Sequence, residues 1–315
     1  MFLSKLRWII GGVLAALLLA GCSMVRLGDS QAPNLAYWWI DGHADLTGEQ
    51  TPRVREAIDQ WFAWHRRTQL PDYAALLARA QSELLQPTTP QAMCGWRDLA
   101  QRRLDVAVEQ ATPALAALIV TLSPEQLRHI ERKLAKDGDD LRADFAQADR
   151  AERAKAAFKR TLERYETLYG QLDEPQRARL ALWLAQSSFD ADRWLAERER
   201  RIRDLMQTLQ QVSTAARTLE PAAATAQAQA AVHVLVERTL RSPRPDYRSH
   251  QERLALENCE LAATLHNLTT PAQRQHARRK LKGWEEDLRL LVGSDIASAA
   301  GSDIASAAGS AKPAP

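Results

Sequence analysis

Residues 194–212 read WLAERERRIRDLMQTLQQV, and this stretch decides the fold class. Its apolar side chains recur at steps of three, four and seven, which places them on one stripe of a helix. The stripe consists of Leu195, Ile202, Leu205, Leu209 and Val212. The same spacing recurs in residues 158–169 and 277–291, and the sequence has no alternating β pattern. We therefore predict an all-α protein.

Predicted helix starts share a motif that occurs four times. Each copy has a leucine, then Thr, Ser or Asp, and ends in glutamine, at residues 46–50, 122–126, 172–176 and 268–273. The hydroxyl or carboxylate caps a free backbone N–H, and the glutamine reaches back to the cap residue. The copies are unevenly spaced, so they mark helix starts and not a fixed-period solenoid. With the proline breaks, they predict an irregular multi-helix bundle of about ten helices.

The first 22 residues have the parts of a lipoprotein signal peptide. Lys5 and Arg7 precede an apolar run, residues 8–20, that is too short to span a bilayer. The run ends in Leu-Ala-Gly-Cys, the lipobox pattern, in which the cysteine thiol can accept a diacylglycerol. We predict cleavage before Cys22 and lipidation of Cys22. A plain signal peptide and a short membrane anchor are the alternatives.

The lipobox also defines the predicted domain organisation. Residues 1–21 are the signal peptide, 22–33 a lipidated N-terminus and tether, and 34–292 a single all-helical domain. Residues 293–315 contain two identical copies of GSDIASAA, whose small side chains bury too little apolar surface to fold. We expect this tail to be disordered. Serine, and not aspartate, follows Cys22, which favours sorting to the outer membrane.

The charge balance argues against a nucleic-acid partner. The 315 residues include 42 Lys and Arg against 39 Asp and Glu, and the signal peptide takes two of the cations with it. Acids and arginines interleave, as in residues 197–201, which is typical of a solvated, ion-paired helix face. We predict that no nucleic acid binds.

Two cysteines remain beyond the lipobox, Cys94 and Cys259. An exported protein meets an oxidising compartment, where an even pair of cysteines usually forms a disulfide. We predict the Cys94–Cys259 disulfide, with two separate buried thiols as the alternative. Neither cysteine has a neighbouring histidine or a Cys-x-x-Cys partner, so a catalytic thiol is not expected.

Two aromatic clusters are the candidate ligand or interface surfaces. The first, NLAYWWI at residues 34–40, contains Trp38 and Trp39 and would rest at the lipid interface or fill the domain core. We favour the core, because aromatic side chains mostly pack inside proteins. The second shares one helical face: Trp61, Trp64 and His65. It would bind a hydrophobic ligand or an extended peptide, although packing is the commoner role.

No recognised catalytic or metal-binding motif is present. The seven histidines lack metal-ligand spacing, and the chain has no glycine-rich phosphate loop. We therefore predict no cofactor and no metal. An enzyme site would be sought first at His65 beside Arg66. The other place is His129, near Glu131 and Asp139.

Several segments resemble an uncharacterised family of Gram-negative lipoproteins with a domain of unknown function. They are the lipobox, VRLG (25–28), YWW (37–39), DLTGEQ (45–50), WHRR (64–67), LSPEQ (122–126), Cys259 and HNLTTP (266–271). The resemblance covers nearly all of residues 1–292 and implies an all-helical envelope lipoprotein, but no activity. Asp29 and Ser30 depart from the tyrosine–asparagine pair of that family.

The four helix-start motifs are also similar to the Leu-Thr-x-x-Gln motif of helical periplasmic stress chaperones, which are much shorter proteins. Together these features predict a non-enzymatic binding, scaffolding or chaperone-like lipoprotein, anchored through Cys22 and facing the periplasm. Its partners would be the membrane and an envelope protein. The alternatives are an enzyme acting on an envelope lipid or cell-wall substrate, and a lipid carrier.

Overall fold

The computed structural model describes residues 23–147 and 149–309, and these residues form eleven α-helices and no strand. The helices are α1 Ser23–Ala44, α2 Gln50–Thr68, α3 Leu70–Glu83, α4 Pro90–Ile119, α5 Pro124–Phe145, α6 Arg150–Tyr169, α7 Glu174–Gln186, α8 Ala191–Ala215, α9 Pro221–Leu240, α10 Pro245–Leu268 and α11 Pro271–Gly309. The predicted all-α, multi-helix class is confirmed. The predicted signal peptide and Cys22 lie outside the described residues.

Helix α4 is the central element, about 45 Å long at 1.5 Å per residue. Helices α2 and α3 run antiparallel to it along one side. Trp61 Nε1 of α2 donates to the carbonyl of Ala107, at 3.0 Å. Further along, Arg103 of α4 pairs with Asp72 of α3 at 2.7 Å. Helices α9 and α10 also pack against α4.

The start of α4 is joined covalently to α10. Cys94 and Cys259 form the predicted disulfide, with their Cα atoms 5.4 Å apart. Close by in sequence, the Asn267 side chain accepts from the Thr88 backbone N–H and donates to the Thr88 carbonyl, each at 2.9 Å. The N-terminal end of α4 is therefore fixed to the C-terminal end of α10.

The first two helix-start motifs bind each other. Gln50 and Gln126 exchange side-chain hydrogen bonds, Nε2 to Oε1, at 3.3 and 2.8 Å. Gln126 Nε2 also lies 3.0 and 2.9 Å from the carbonyl oxygens of Ala44 and Asp45. Gln50 Nε2 lies 3.1 Å from the Thr121 carbonyl oxygen. This first glutamine clasp (Gln50 and Gln126) holds the ends of α1 and α4 against the starts of α2 and α5.

The other two motifs form a second glutamine clasp (Gln176 and Gln273). Their side chains exchange Nε2–Oε1 hydrogen bonds at 2.8 and 2.9 Å. Gln176 Nε2 also donates to the Leu268 carbonyl and Gln273 Nε2 to the Gln171 carbonyl, both at 2.9 Å. This clasp joins the ends of α6 and α10 to the starts of α7 and α11.

Each clasp glutamine also completes the predicted cap of its own helix. Its Oε1 accepts the backbone N–H of the cap residue at 2.9–3.0 Å. The cap residues are Thr47, Ser123, Asp173 and Thr270. One amide group therefore caps its own helix and binds a second corner, which explains why the motif ends in glutamine.

The apolar core has separate clusters at the two clasps. Beside the first clasp, α1, α4, α5, α8 and α9 contribute one cluster: Ala44, Ala116, Ile119, Leu122, Ile130, Leu209, Val212, Ala228 and Val232. Beside the second, Tyr169 and Leu172 pack on Ala277. Leu180 packs on two leucines of α10, Leu261 and Leu265.

Two terminal expectations differ from the structure. Helix α1 begins at Ser23 and so includes most of the segment predicted to be a tether. Helix α11 continues to Gly309, through the octads predicted to be disordered. A helix that is already formed over its packed residues extends without a new nucleation step, and the octads are rich in alanine, the best helix former.

The interleaved charges at residues 197–201 were predicted to face solvent, and this is wrong for Glu197. Its side chain is 1% exposed, because α8 packs between α5 and α9. It accepts from Arg200 at 2.9 Å and from Arg201 at 3.4 Å. Burial acts to raise the pKa of Glu197, but the hydrogen bond from Arg200 and the charges of Arg200 and Arg201 lower it below the usual value.

We predict that Gln126→Ala lowers the free energy of unfolding by at least about 2 kcal/mol, because it removes the amide donor that faces the buried Ala44 carbonyl and the Gln50 side-chain oxygen. Gln126→Glu should also destabilise, since it keeps an acceptor but loses the donating amide. The control is Gln101→Ala on the exposed face of α4, which should change stability by under about 0.5 kcal/mol. Urea unfolding followed by circular dichroism measures the unfolding free energy of all three variants. Equal effects of Gln126→Ala and Gln101→Ala would contradict the clasp.

Candidate functional site

One face of α1 is fixed in the domain. Tyr37 is 9% exposed and packs against Val54 and Ile58 of α2. The guanidinium of Arg55 lies 3.6 Å from the centre of the Tyr37 ring. At the end of α1, Ala44 is buried in the core beside the first glutamine clasp. These contacts fix the rotation of α1 about its axis.

The other face of α1 carries two exposed tryptophans. Trp38 is 56% and Trp39 41% exposed, so the preference for a core position is wrong. Each residue advances about 100° around a helix, and Tyr37 takes the inward position, so the next two side chains turn outward. Residues 30–40 contain no charged side chain. The result is an uncharged aromatic surface, which we call the α1 face (Trp38 and Trp39).

Trp39 is held in place from α5. The rings of Trp39 and His43 lie 4.3 Å apart, and His43 Nδ1 is 2.8 Å from the Trp39 carbonyl oxygen. His43 Nε2 is 3.1 Å from the carboxylate of Asp137 in α5. A second link to α5 joins His129 Nε2 and the Gly42 carbonyl oxygen at 3.2 Å. The α1 face therefore stands on a fixed support.

The second aromatic cluster is a joint between helices. The rings of Trp61 and His65 stack at 4.9 Å and 12°, and Tyr73 of α3 meets His65 edge-on at 5.5 Å. Trp64 lies 5.9 Å from Trp61. All four side chains are half-buried, and Trp61 bonds to α4. The one-face prediction is correct, and the cluster packs α2 against α3 and α4.

His65 is neutral at neutral pH within this joint. Burial, and secondarily the charge of Arg66, lower its pKa to about 4. Its Nδ1 is buried and has no hydrogen-bond partner among the described residues. Burial also raises the pKa of Tyr73. Because burial disfavours the protonated form of His65, acid should weaken the packing of this cluster.

The described residues offer no metal site, since no three His, Cys, Asp or Glu side chains converge. A depression of about 270 Å³ lies between α4 and α9. It is lined by Arg97, Asp98, Gln101, Asp105, Leu240 and Arg241. Most of these side chains are polar, which suits neither a lipid tail nor an apolar ligand. Over the same residues, no helix is long and apolar enough to cross a bilayer.

A family model for a group of proteins of unknown function, DUF6279, matches residues 42–223. The chain belongs to this family. No curated protein and no solved structure matches the chain. Three of the four helix-start motifs and the second aromatic cluster lie inside the matched DUF6279 region. Trp38 and Trp39 precede it.

A buried hydrogen-bonded series of polar groups in this DUF6279 protein is not indicated by any sequence motif. Tyr169 Oη lies 2.8 Å from His266 Nδ1, and His266 Nε2 lies 2.8 Å from the Gln86 carbonyl oxygen. Burial lowers the pKa of His266 and raises that of Tyr169. These hydrogen bonds hold the loop after α3 against the helices of the second glutamine clasp. Their role is therefore structural.

We predict that His65→Phe reduces the acid sensitivity of folding. The folded state holds the pKa of His65 near 4, below the unfolded value of 6.5, so the unfolded chain takes up the proton first. Unfolding free energy should therefore fall as pH drops from 6.5 to 4, by at most about 1.4 kcal/mol per pH unit for this group. His65→Phe should flatten the curve, and His233→Gln, at an exposed site, should not. Urea unfolding across this pH range tests the prediction. The same pH dependence of the unfolding free energy in the unmodified protein and in His65→Phe would contradict it.

Proposed function

We propose that this protein is an outer-membrane lipoprotein that binds an envelope protein at the periplasmic membrane surface through the α1 face. The observation that carries the proposal is the position of this face. Helix α1 begins at the residue after the predicted lipidation site, Cys22, and exposes Trp38 and Trp39 while Tyr37 and Ala44 are buried.

A helix transmits position in a way that a flexible tether cannot. From Ser23 to Trp38 the rise along α1 is about 22 Å at 1.5 Å per residue. A lipid on Cys22 would therefore keep the α1 face within about that distance of its attachment point in the bilayer. Because α1 ends in the first glutamine clasp, the rest of the domain is held with it. This arrangement supports a binding surface for a partner that is itself at the membrane.

The chemistry of the face favours a protein partner over a polar small molecule. Tryptophan is enriched among the residues that dominate protein interfaces, and residues 30–40 add no charged side chain that would have to lose its water. The face is supported from below by His43 and Asp137, which limits the entropy lost on binding. The motif glutamines are occupied in the two clasps, so the similarity to stress chaperones supplies no binding residue.

The anchoring half of the proposal has a direct test. Cys22→Ser should move the protein from the membrane fraction to the soluble periplasmic fraction once the membranes are washed at high salt, which removes electrostatic binding. Ser23→Asp, which keeps the lipid acceptor, should remain in membranes but shift from the outer-membrane to the inner-membrane density. Sucrose-gradient fractionation of cells measures both changes. A Cys22→Ser variant that stays in the outer membrane would contradict lipid anchoring.

The binding half is tested by site-specific photocrosslinking in cells. A photoreactive residue at Trp38 should give one defined adduct, whereas the same residue at Leu256, which is 58% exposed on α10, should give none. Trp38→Ala with Trp39→Ala should weaken the purified complex at least tenfold, since interface tryptophans commonly contribute about 2 kcal/mol. Leu256→Ala is the matched control. Identical adducts at both positions would rule out the α1 face.

A further inference from the structure

The first part of α11 is strongly basic. Residues 271–284 contain no aspartate or glutamate. They contain five cations: Arg274, Arg278, Arg279, Lys280 and Lys282. In a chain whose charges are nearly balanced, this concentration of one sign in under four helical turns is a distinct surface feature.

Of these five cations, two are both exposed and without an ion pair among the described residues, and Lys280 is half-buried. Arg274 is occupied, with Nε 3.0 Å from Thr269 Oγ1 beside the second glutamine clasp. Lys282 pairs with Glu286 at 3.7 Å. Arg278 and Arg279 are exposed, and neither forms an ion pair within the described part of the chain.

The opposite side of α11 fixes the direction in which these arginines point. Ala277 and Leu281 are buried, and Glu285 accepts from Gln81 of α3 at 2.5 Å. Because this side packs on α3, the side with Arg278 and Arg279 faces outward. We call it the α11 face (Arg278 and Arg279).

We propose that the α11 face lies against anionic phospholipid headgroups of the membrane to which α1 is attached. Charge complementarity identifies the occupant, because guanidinium groups bind phosphate and an anionic bilayer attracts clustered cations. The packing agrees, because α11 packs against α1, so the α11 face belongs to the same packed unit as the helix that begins beside Cys22. The inference rests on the proposed function for its membrane, and it adds how the domain is oriented there.

The α11 face has a role that the lipid cannot perform. Acyl chains on Cys22 would hold the protein at the membrane but would leave it free to rotate about the attachment point. A second contact on α11 fixes which side of the domain meets the headgroups. Acyl chains combined with a basic surface are a common pair of membrane signals.

The test uses the chain from residue 22 to 315 with Cys22→Ser, so that no lipid contributes. Vesicles of phosphatidylcholine are compared with vesicles in which one quarter is phosphatidylglycerol, by co-sedimentation. We expect binding to the anionic vesicles only, and its loss at high salt. Arg278→Gln with Arg279→Gln should weaken it ten- to thirtyfold, as expected from the loss of two headgroup contacts.

The matched control is Arg132→Gln with Lys136→Gln, which removes the same charge from exposed positions on α5, where acidic residues are interspersed. It should weaken binding less than twofold. Equal weakening by both double variants, or equal binding to neutral and anionic vesicles, would overturn the inference. Either result would leave lipid anchoring intact, because that is decided by fractionation of Cys22→Ser cells.

Discussion

The fold depends on a constraint imposed by buried glutamine side chains. A primary amide has two N–H donors and one oxygen that can accept two hydrogen bonds, and these must find partners when water is excluded. In each glutamine clasp, two such amides satisfy each other, the caps of two helices and the carbonyls of two preceding helix ends. Four helix ends must therefore meet at one point. Helix α4 runs from the disulfide near the second clasp to the first clasp, so its length sets their separation.

The local part of this structure could be predicted from the sequence, and the long-range part could not. Apolar spacing and capping residues act within a few positions, and they gave the correct fold class and helix starts. The pairing of the motifs joins glutamines 76 residues apart in one clasp and 97 in the other. The sequence of a motif shows that it caps a helix, but it does not show which other motif it will bind. The Cys94–Cys259 pairing could be predicted because only two cysteines remained beyond the lipobox.

Expectations based on residue type failed where the rotation of a helix decides exposure. Aromatic residues usually pack inside, yet Tyr37 alone of three consecutive aromatics is buried. Alternating charges usually face solvent, yet Glu197 is buried because α8 has neighbours on two sides. The sequence places Trp38 and Glu197 on helices correctly. It does not say which way each helix is turned, because that is set by packing partners distant in the chain.

The two proposed membrane contacts are connected through the same constraint. Helix α1 ends in the first glutamine clasp and α11 begins in the second, and the two helices also pack against each other. Their relative orientation is thus fixed at both clasps, by α4, and by the disulfide near its start. A lipid at the start of α1 and headgroups at the α11 face would then act on one rigid body. With both contacts made, the α1 face has one orientation toward the membrane, which is what a partner in that membrane needs for recognition.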